Sequence, residues 1–220
     1  MPSLLDINKL LRRAYELLKQ DLAKPQNVHI EPLANEALQR LHQDIRTWGI
    51  VDDVSPFDAY WTDAGANAIS AEGNARMVKG DFNTYLQDPD TRERVRQLLL
   101  LRKKEAIDFR LVHKAVEIGL IENLDRFNFV VGRPLLYVHR MELMIFPELS
   151  TSIADRKKLE DTGKELGING KNVAFERLQY QVRDKVDDFI REEGLTNETD
   201  FVKMGIAWWV LDAAREIRGR

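Results

Sequence analysis

The segment from Phe201 to Ile217 sets the strongest limit on what this chain can fold into. Phe201, Val202, Met204, Ile206, Trp208, Trp209, Val210, Leu211, Ala214 and Ile217 leave almost no polar face at helical spacing. A helix apolar nearly all round must be covered on more than one side, so it is a central core helix or the packing face of an assembly. Asp200 directly precedes this segment and Lys203 and Asp212 lie within it, which argues against a membrane span. The longest apolar runs elsewhere also fall short of one.

The other strong periodicities are helical too. Leu4, Ile7, Leu11, Ala14, Leu18 and Leu22 repeat at helical spacing behind Ser3, a candidate cap supported by Asp6. A second helix is predicted from near Pro32 through Leu38, Leu41 and Ile45 to Gly49, pairing antiparallel with the first. Asp88-Pro89 opens a long helix with Asp as cap and Pro in the first turn, broken between Lys103 and Asp108 and closed by Gly119. Phe175, Leu178, Val182, Val186 and Phe189 form one further stripe, in a helix starting near Asn172 and ending at Gly194. The Ser150–Ser152 cluster and the Thr196/Asn197/Thr199 region offer caps for the helices that follow them.

Two regions lack this signal. Residues 49–88 mix acidic, aromatic and small residues without a sustained period, which predicts a long loop with one short helix. Tyr60 and Trp61 there are either a partner anchor or a satellite core. Residues 127–146 read either as a small β-hairpin turning at Gly132-Arg133-Pro134 or as a buried helix from Pro134. The fold class is therefore mainly α: a multi-helix globular bundle with at most a small β-hairpin near 127–146. Its organisation is an N-terminal helical pair plus acidic and aromatic loop over 1–88 and a helical domain over 89–220, or one continuous domain.

Composition narrows the function. The 220 residues are 44% hydrophobic and 31% charged with no cysteine, which fits an ordered globular chain and excludes disulfides, zinc ribbons and thiol catalysis. The N-terminus lacks a secretory signal pattern, and a cytoplasmic location is expected. A formal charge of −3 gives no global pull on nucleic acid, so any such contact needs a local patch. Between Thr91 and Lys114, eight basic residues stand against three acidic ones. Arg94, Arg102, Lys103, Lys104, Arg110 and Lys114, with Arg92 and Arg96, are candidates for a cationic stripe that positions phosphates. A solvated helix surface is the alternative.

A second candidate patch lies at 159–178, LEDTGKELGINGKNVAFERL. Gly163 stands four residues before a turn glycine, Gly167, which Leu166 and Ile168 flank; Val173 follows six residues after it. This run resembles the helix-turn-helix family of DNA-binding motifs. The resemblance implies that the second helix enters the major groove with its first residues, Asn169, Gly170, Lys171 and Asn172, at base edges and with Lys164 and Arg177 near phosphates. The run departs from the motif at Gly163, usually Ala, and at Glu176 and Arg177, usually apolar. An ordinary helical hairpin closed by a glycine cap is the other reading.

Arg133 and His139, with five residues between them, resemble the Arg-spacer-His motif of the HEPN ribonucleases, although Pro134 stands where that family usually has a polar residue. The resemblance implies phosphate stabilisation by the arginine and proton transfer by the histidine. No phosphate loop, Ser-His-Asp order or zinc signature is present, and His29, His42 and His113 suggest no metal set. No catalytic residue, metal or cofactor is assigned. The expected function is non-enzymatic binding of DNA, RNA or a nucleoprotein complex through basic helical surfaces. The alternative is a helical protein–protein interaction or scaffold subunit, with self-association through the C-terminal helix; a metal-independent ribonuclease is the third reading.

Overall fold

The computed structural model describes residues 6–49, 53–71, 73–104 and 109–219, and among them every regular element is helical, with no strand. In chain order the α-helices are α1 (Ile7–Leu22), α2 (Ile30–Thr47), α3 (Ala64–Ile69), α4 (Lys79–Gln87), α5 (Pro89–Lys104), α6 (Phe109–Ile118), α7 (Leu135–Ile145), α8 (Arg156–Glu165), α9 (Phe175–Glu192), α10 (Asp200–Ile206) and α11 (Val210–Ile217). Short 3-10 helices cover Ser55–Trp61, Gly73–Val78, Glu122–Arg126 and Ala207–Trp209. The chain forms two compact units. The first comprises residues 1–32 and 147–220, the second residues 33–146. A boundary expected near residue 88 falls inside the second unit, between α4 and α5.

In the first unit α1 starts at Asp6, whose Oδ1 accepts from the backbone N–H of Asn8 (2.9 Å) and Lys9 (3.2 Å). Ser3, the expected cap, lies outside the described residues. Leu10, Leu11, Ala14 and Leu18 are buried, and α1 packs on α9, α10, α11 and the 3-10 turn at 207–209. Its partners within this unit thus come from the far end of the sequence. The apolar segment 201–217 is accordingly the core of this unit, with Val202, Ile206, Ala207, Val210 and Ala213 fully buried. All five members of the stripe at 175–189 are buried as expected.

The turn after α8 has the expected glycine closure. Ile168 N–H donates to Gly163 O (2.8 Å), and Gly167 takes φ +76°, where a Cβ is strained. The cap of α8 is Asp155, which accepts from Lys158 N–H (2.6 Å), and not the Ser150–Ser152 cluster. That cluster is held by α9 instead. Gln179 Oε1 accepts from Thr151 N–H (3.0 Å) and Oγ1–H (2.6 Å), and its Nε2 donates to Ile153 O (2.5 Å). Arg183, almost fully buried, donates to Pro147 O and Ser150 O and pairs with Asp187 (2.9 Å) and Asp200 (3.5 Å).

The second unit is built round α7. Every residue from Tyr137 to Ile145 is buried, and α7 packs against α3, α4, α5 and the 3-10 helix 55–61. The hairpin alternative for 127–146 is therefore corrected to an α-helix preceded by an irregular segment. An apolar run surrounded on all sides satisfies its backbone internally, whereas a hairpin strand needs a partner. Residues 49–88 are corrected as well: the described part of this expected loop holds two 3-10 helices, α3 and α4. Their periods are too short to read in sequence, and their order comes from distant contacts. Arg140 of α7, fully buried, donates to Trp61 O (3.3 Å) and to Ser70 O, the C-terminal ends of the first 3-10 helix and of α3. Trp48, Phe57 and Trp61 are buried beside it, Trp48 and Phe57 edge to face at 5.4 Å. Trp61 is thus core, not a partner anchor.

Gly65 marks the closest approach in this unit. A Cβ there would stand 2.3 Å from Ala37 Cβ of α2. Gly65→Ala is therefore expected to lower stability by about 1–3 kcal/mol in urea denaturation, despite alanine's better helix propensity. An unchanged midpoint would show that α3 shifts away freely.

Candidate functional site

The cationic stripe predicted along α5 does not stand open. Arg92 pairs with Asp58 (2.8 Å), Arg94 with Asp90 (3.0 Å) and Arg96 with Glu93 (2.7 Å). Arg94 also donates to Ile118 O, and Lys103 donates to Trp48 O. Arg102 donates to His42 Nδ1 (3.1 Å), while His42 Nε2 lies 2.9 Å from Met144 O. That pattern fixes a neutral ring carrying its proton on Nε2, because Nδ1 must accept from a guanidinium. The side chain of Lys104 lies outside the described residues. Arg110 is exposed and Lys114 half-buried, both on α6. Most of these cations therefore serve the unit's own carboxylates and carbonyls.

The second predicted group stands on the first unit. Lys164 is exposed in the last turn of α8, Lys171 and Asn172 are exposed in the connector, and Arg177 is exposed in the first turn of α9. Asn172 adopts φ +62°. The connector runs from Leu166 to Ala174, and α9 begins at Phe175, so Lys171 and Asn172 precede the helix. Ala174 at its N-cap offers no side-chain acceptor to the first amides. Asp184, Asp187, Asp188 and Glu192 then follow along the same helix.

Arg133 and His139 are not presented together. Arg133 is exposed, pairs with Asp125 (2.9 Å) and donates to Ile121 O (3.1 Å), whereas His139 is 1% exposed inside α7. A proton-transfer histidine needs access to substrate, which this burial denies. The carboxylates of the 49–88 region likewise have structural partners: Asp53 holds Ser55, Asp58 holds Arg92, and Asp63 caps α3 and pairs with Arg40. Asp52 and Glu72 lie outside the described residues. Among the described residues no three His, Asp or Glu side chains converge on a metal position.

The most specific surface feature is one that sequence reading missed. Val130 and Val131 are 94% and 57% exposed. They stand on a segment held from below by one carboxylate: Asp81 Oδ1 accepts from Val130 N–H (3.0 Å), and its Oδ2 accepts from Val131 (2.8 Å) and Gly132 (3.0 Å). Asp81 is itself buried in the first turn of α4. The amide of Gly132 first, then those of Val131 and Val130, hold its carboxyl below the ordinary range against the opposing effect of burial. On the other flank Phe127 and Phe129 stack at 5.7 Å, and Tyr85 meets Phe127 edge to face at 5.0 Å. Tyr85 O–H donates to Leu120 O (2.5 Å). Two β-branched side chains are thus fixed in water by a buried scaffold. Gly132 packs near Val78, next to Met77, which is 73% exposed. Its sequence signal is an apolar pair directly before a Gly-Arg-Pro turn, a pattern that fits a strand end equally well.

The lowered carboxyl makes this tip sensitive to acid. A depressed folded-state pKa stabilises above the unfolded value and loses that contribution as pH falls below about 4. Amide exchange at Val130, Val131 and Gly132 is therefore expected to lose protection ahead of α7 on acidification. In Asp81→Ala it is lost at neutral pH also. Equal loss across the unit in both cases would refute a local hold by Asp81.

No protein-family model matches this chain, and no curated protein or solved structure matches it.

Proposed function

We propose that this chain is a non-enzymatic, helical protein-interaction subunit that engages its partner through the Val130–Val131 tip. The supporting observation is the pairing of high exposure with rigid support. Exposed single apolar residues are ordinary, but three amides tied to one buried carboxylate pre-organise this pair and remove the ordering cost of docking. Insertion of Val130 into a partner pocket gives the apolar anchor that interfaces concentrate at their centre. A photo-crosslinking residue placed at Val130 is expected to give one discrete adduct in the native host, lost on Val131→Asp while helix content stays unchanged. No adduct at Val130, or one indifferent to Val131→Asp, overturns the reading.

A second reading keeps nucleic acid or a nucleoprotein complex as the ligand, through Lys164, Lys171, Asn172 and Arg177. It is favoured by the exposed cations Lys164, Lys171 and Arg177, which stand on either side of the start of α9. Mixed-sequence DNA or RNA binding would then weaken steeply with salt and be lost on charge reversal of Lys164, Lys171 and Arg177. Charge reversal of Arg102 and Lys103, whose cations are committed within the second unit, would destabilise that unit instead. Salt-independent or absent binding removes this reading.

A further inference from the structure

Among the described residues of the second unit, the exposed large apolar side chains are Met77, Val130 and Val131. The two segments that carry them meet. Met77 lies in the 3-10 helix Gly73–Val78, directly before Val78, whose Cγ1 would stand 3.4 Å from a Cβ on Gly132. Asp81, just beyond it at the start of α4, holds the amides of Val130, Val131 and Gly132. Met77 is also the exception among the sulfurs. Met141, Met144 and Met204 are at most 1% exposed against 73% for Met77, and the chain has no cysteine to compete for an oxidant.

We propose that Met77 is a modification site, oxidised to the sulfoxide by hydrogen peroxide, and that this oxidation releases the Val130–Val131 tip from its partner. The inference rests on the tip reading and adds its regulation. In the step itself the thioether sulfur attacks one peroxide oxygen, so that an S–O bond forms and the O–O bond breaks. The leaving hydroxide takes the proton from the oxygen now on sulfur and departs as water. Sulfur gives up two electrons and the peroxide accepts them. Insertion of Val130 into a pocket brings the partner's surface down beside Met77. There a flexible apolar side chain suits an apolar contact, whereas the sulfoxide presents a polar S–O group that must be desolvated as the contact closes. A sulfoxide reductase restores the thioether, which makes the change reversible.

The test has two arms, both on the full chain. In the first, limited treatment with hydrogen peroxide is followed by peptide mass spectrometry. Met77 is expected to gain one oxygen while Met141, Met144 and Met204 stay unmodified and helix content is unchanged. In the second, the chain with the photo-crosslinking residue at Val130 is oxidised, freed of peroxide and added to an extract of the native host. Its adduct is expected to fall by roughly tenfold, the effect of burying one poorly paired polar group. It should recover after treatment with a sulfoxide reductase. Met77→Leu, which keeps the apolar bulk without the sulfur, should hold the adduct through oxidation, and Met77→Gln should lose it with no peroxide at all. Oxidation of the buried methionines as fast as Met77, an adduct indifferent to oxidation, or equal loss in Met77→Leu overturns the inference and leaves the tip reading standing. Absence of the adduct before any oxidation overturns the tip reading, and the inference with it.

Discussion

Replacing Arg140 by methionine lowers the unfolding free energy by about 2–6 kcal/mol, the cost of two buried carbonyl oxygens left without donors at roughly 1–3 each. Methionine keeps most of the volume and removes a buried charge, so cavity formation and loss of a solvated partner contribute little. What remains is the loss at Trp61 O and Ser70 O, which the guanidinium joins. These are the C-terminal ends of two short helices, where a cation also meets the favourable end of the helix dipole. Lysine should recover only part of the loss, because one ammonium point cannot reach two carbonyls with the planar fork of arginine. Urea denaturation gives the magnitude, and amide exchange over 55–70 shows whether the loss begins there. A loss below about 1 kcal/mol would mean that the two carbonyls find other donors.

Arg183→Met in the first unit is expected to cost about 2–4 kcal/mol by the same reasoning. Most of this comes from the carbonyls of Pro147 and Ser150, which arginine satisfies from inside α9. Asp187 and Asp200 remain partly solvated and contribute less. The pH dependence has the opposite sign to that of Asp81. Burial raises the Asp187 carboxyl, with Arg183 opposing it. A raised folded-state pKa gives stability below the unfolded value that is lost as pH rises through the folded one. Removing Arg183 deletes the opposing charge, so the variant's deficit should grow from acid toward neutral pH. A deficit constant between acid and neutral pH would exclude Asp187 as its cause.

These two arginines also mark where sequence reading stops. Stripes of three turns or more, such as Phe175 to Phe189, and local caps such as Asp88 before Pro89, are legible because each signal lies within a few residues. Asp88 Oδ1 indeed accepts from Thr91 N–H at 2.9 Å. The helices between Ser55 and Ile69 are too short for a period, and carbonyls at their C-terminal ends, Trp61 O and Ser70 O, are satisfied from Arg140, seventy or more residues away. The basic run on α5 was countable, and its near partners Asp90 and Glu93 stand four and three residues before Arg94 and Arg96. Asp58, His42 and Trp48, which engage Arg92, Arg102 and Lys103, come from elsewhere in the chain, so no local count could show them. The Val130–Val131 tip escaped for a related reason: its exposure depends on Asp81, which precedes it by about fifty residues.

The interleaving of the two units has a consequence for how the chain emerges during synthesis. Residues 33–146 are contiguous, so all internal partners of α7 are present once Phe146 has been made. The buried face of α1 differs: α9, α10 and α11, on which it packs, are translated only after residues 33–146. Its greasy side must therefore wait, uncovered, while the whole middle of the polypeptide leaves the ribosome. In that interval the face of α1 that carries Leu10, Leu11 and Leu18 is open to non-native association.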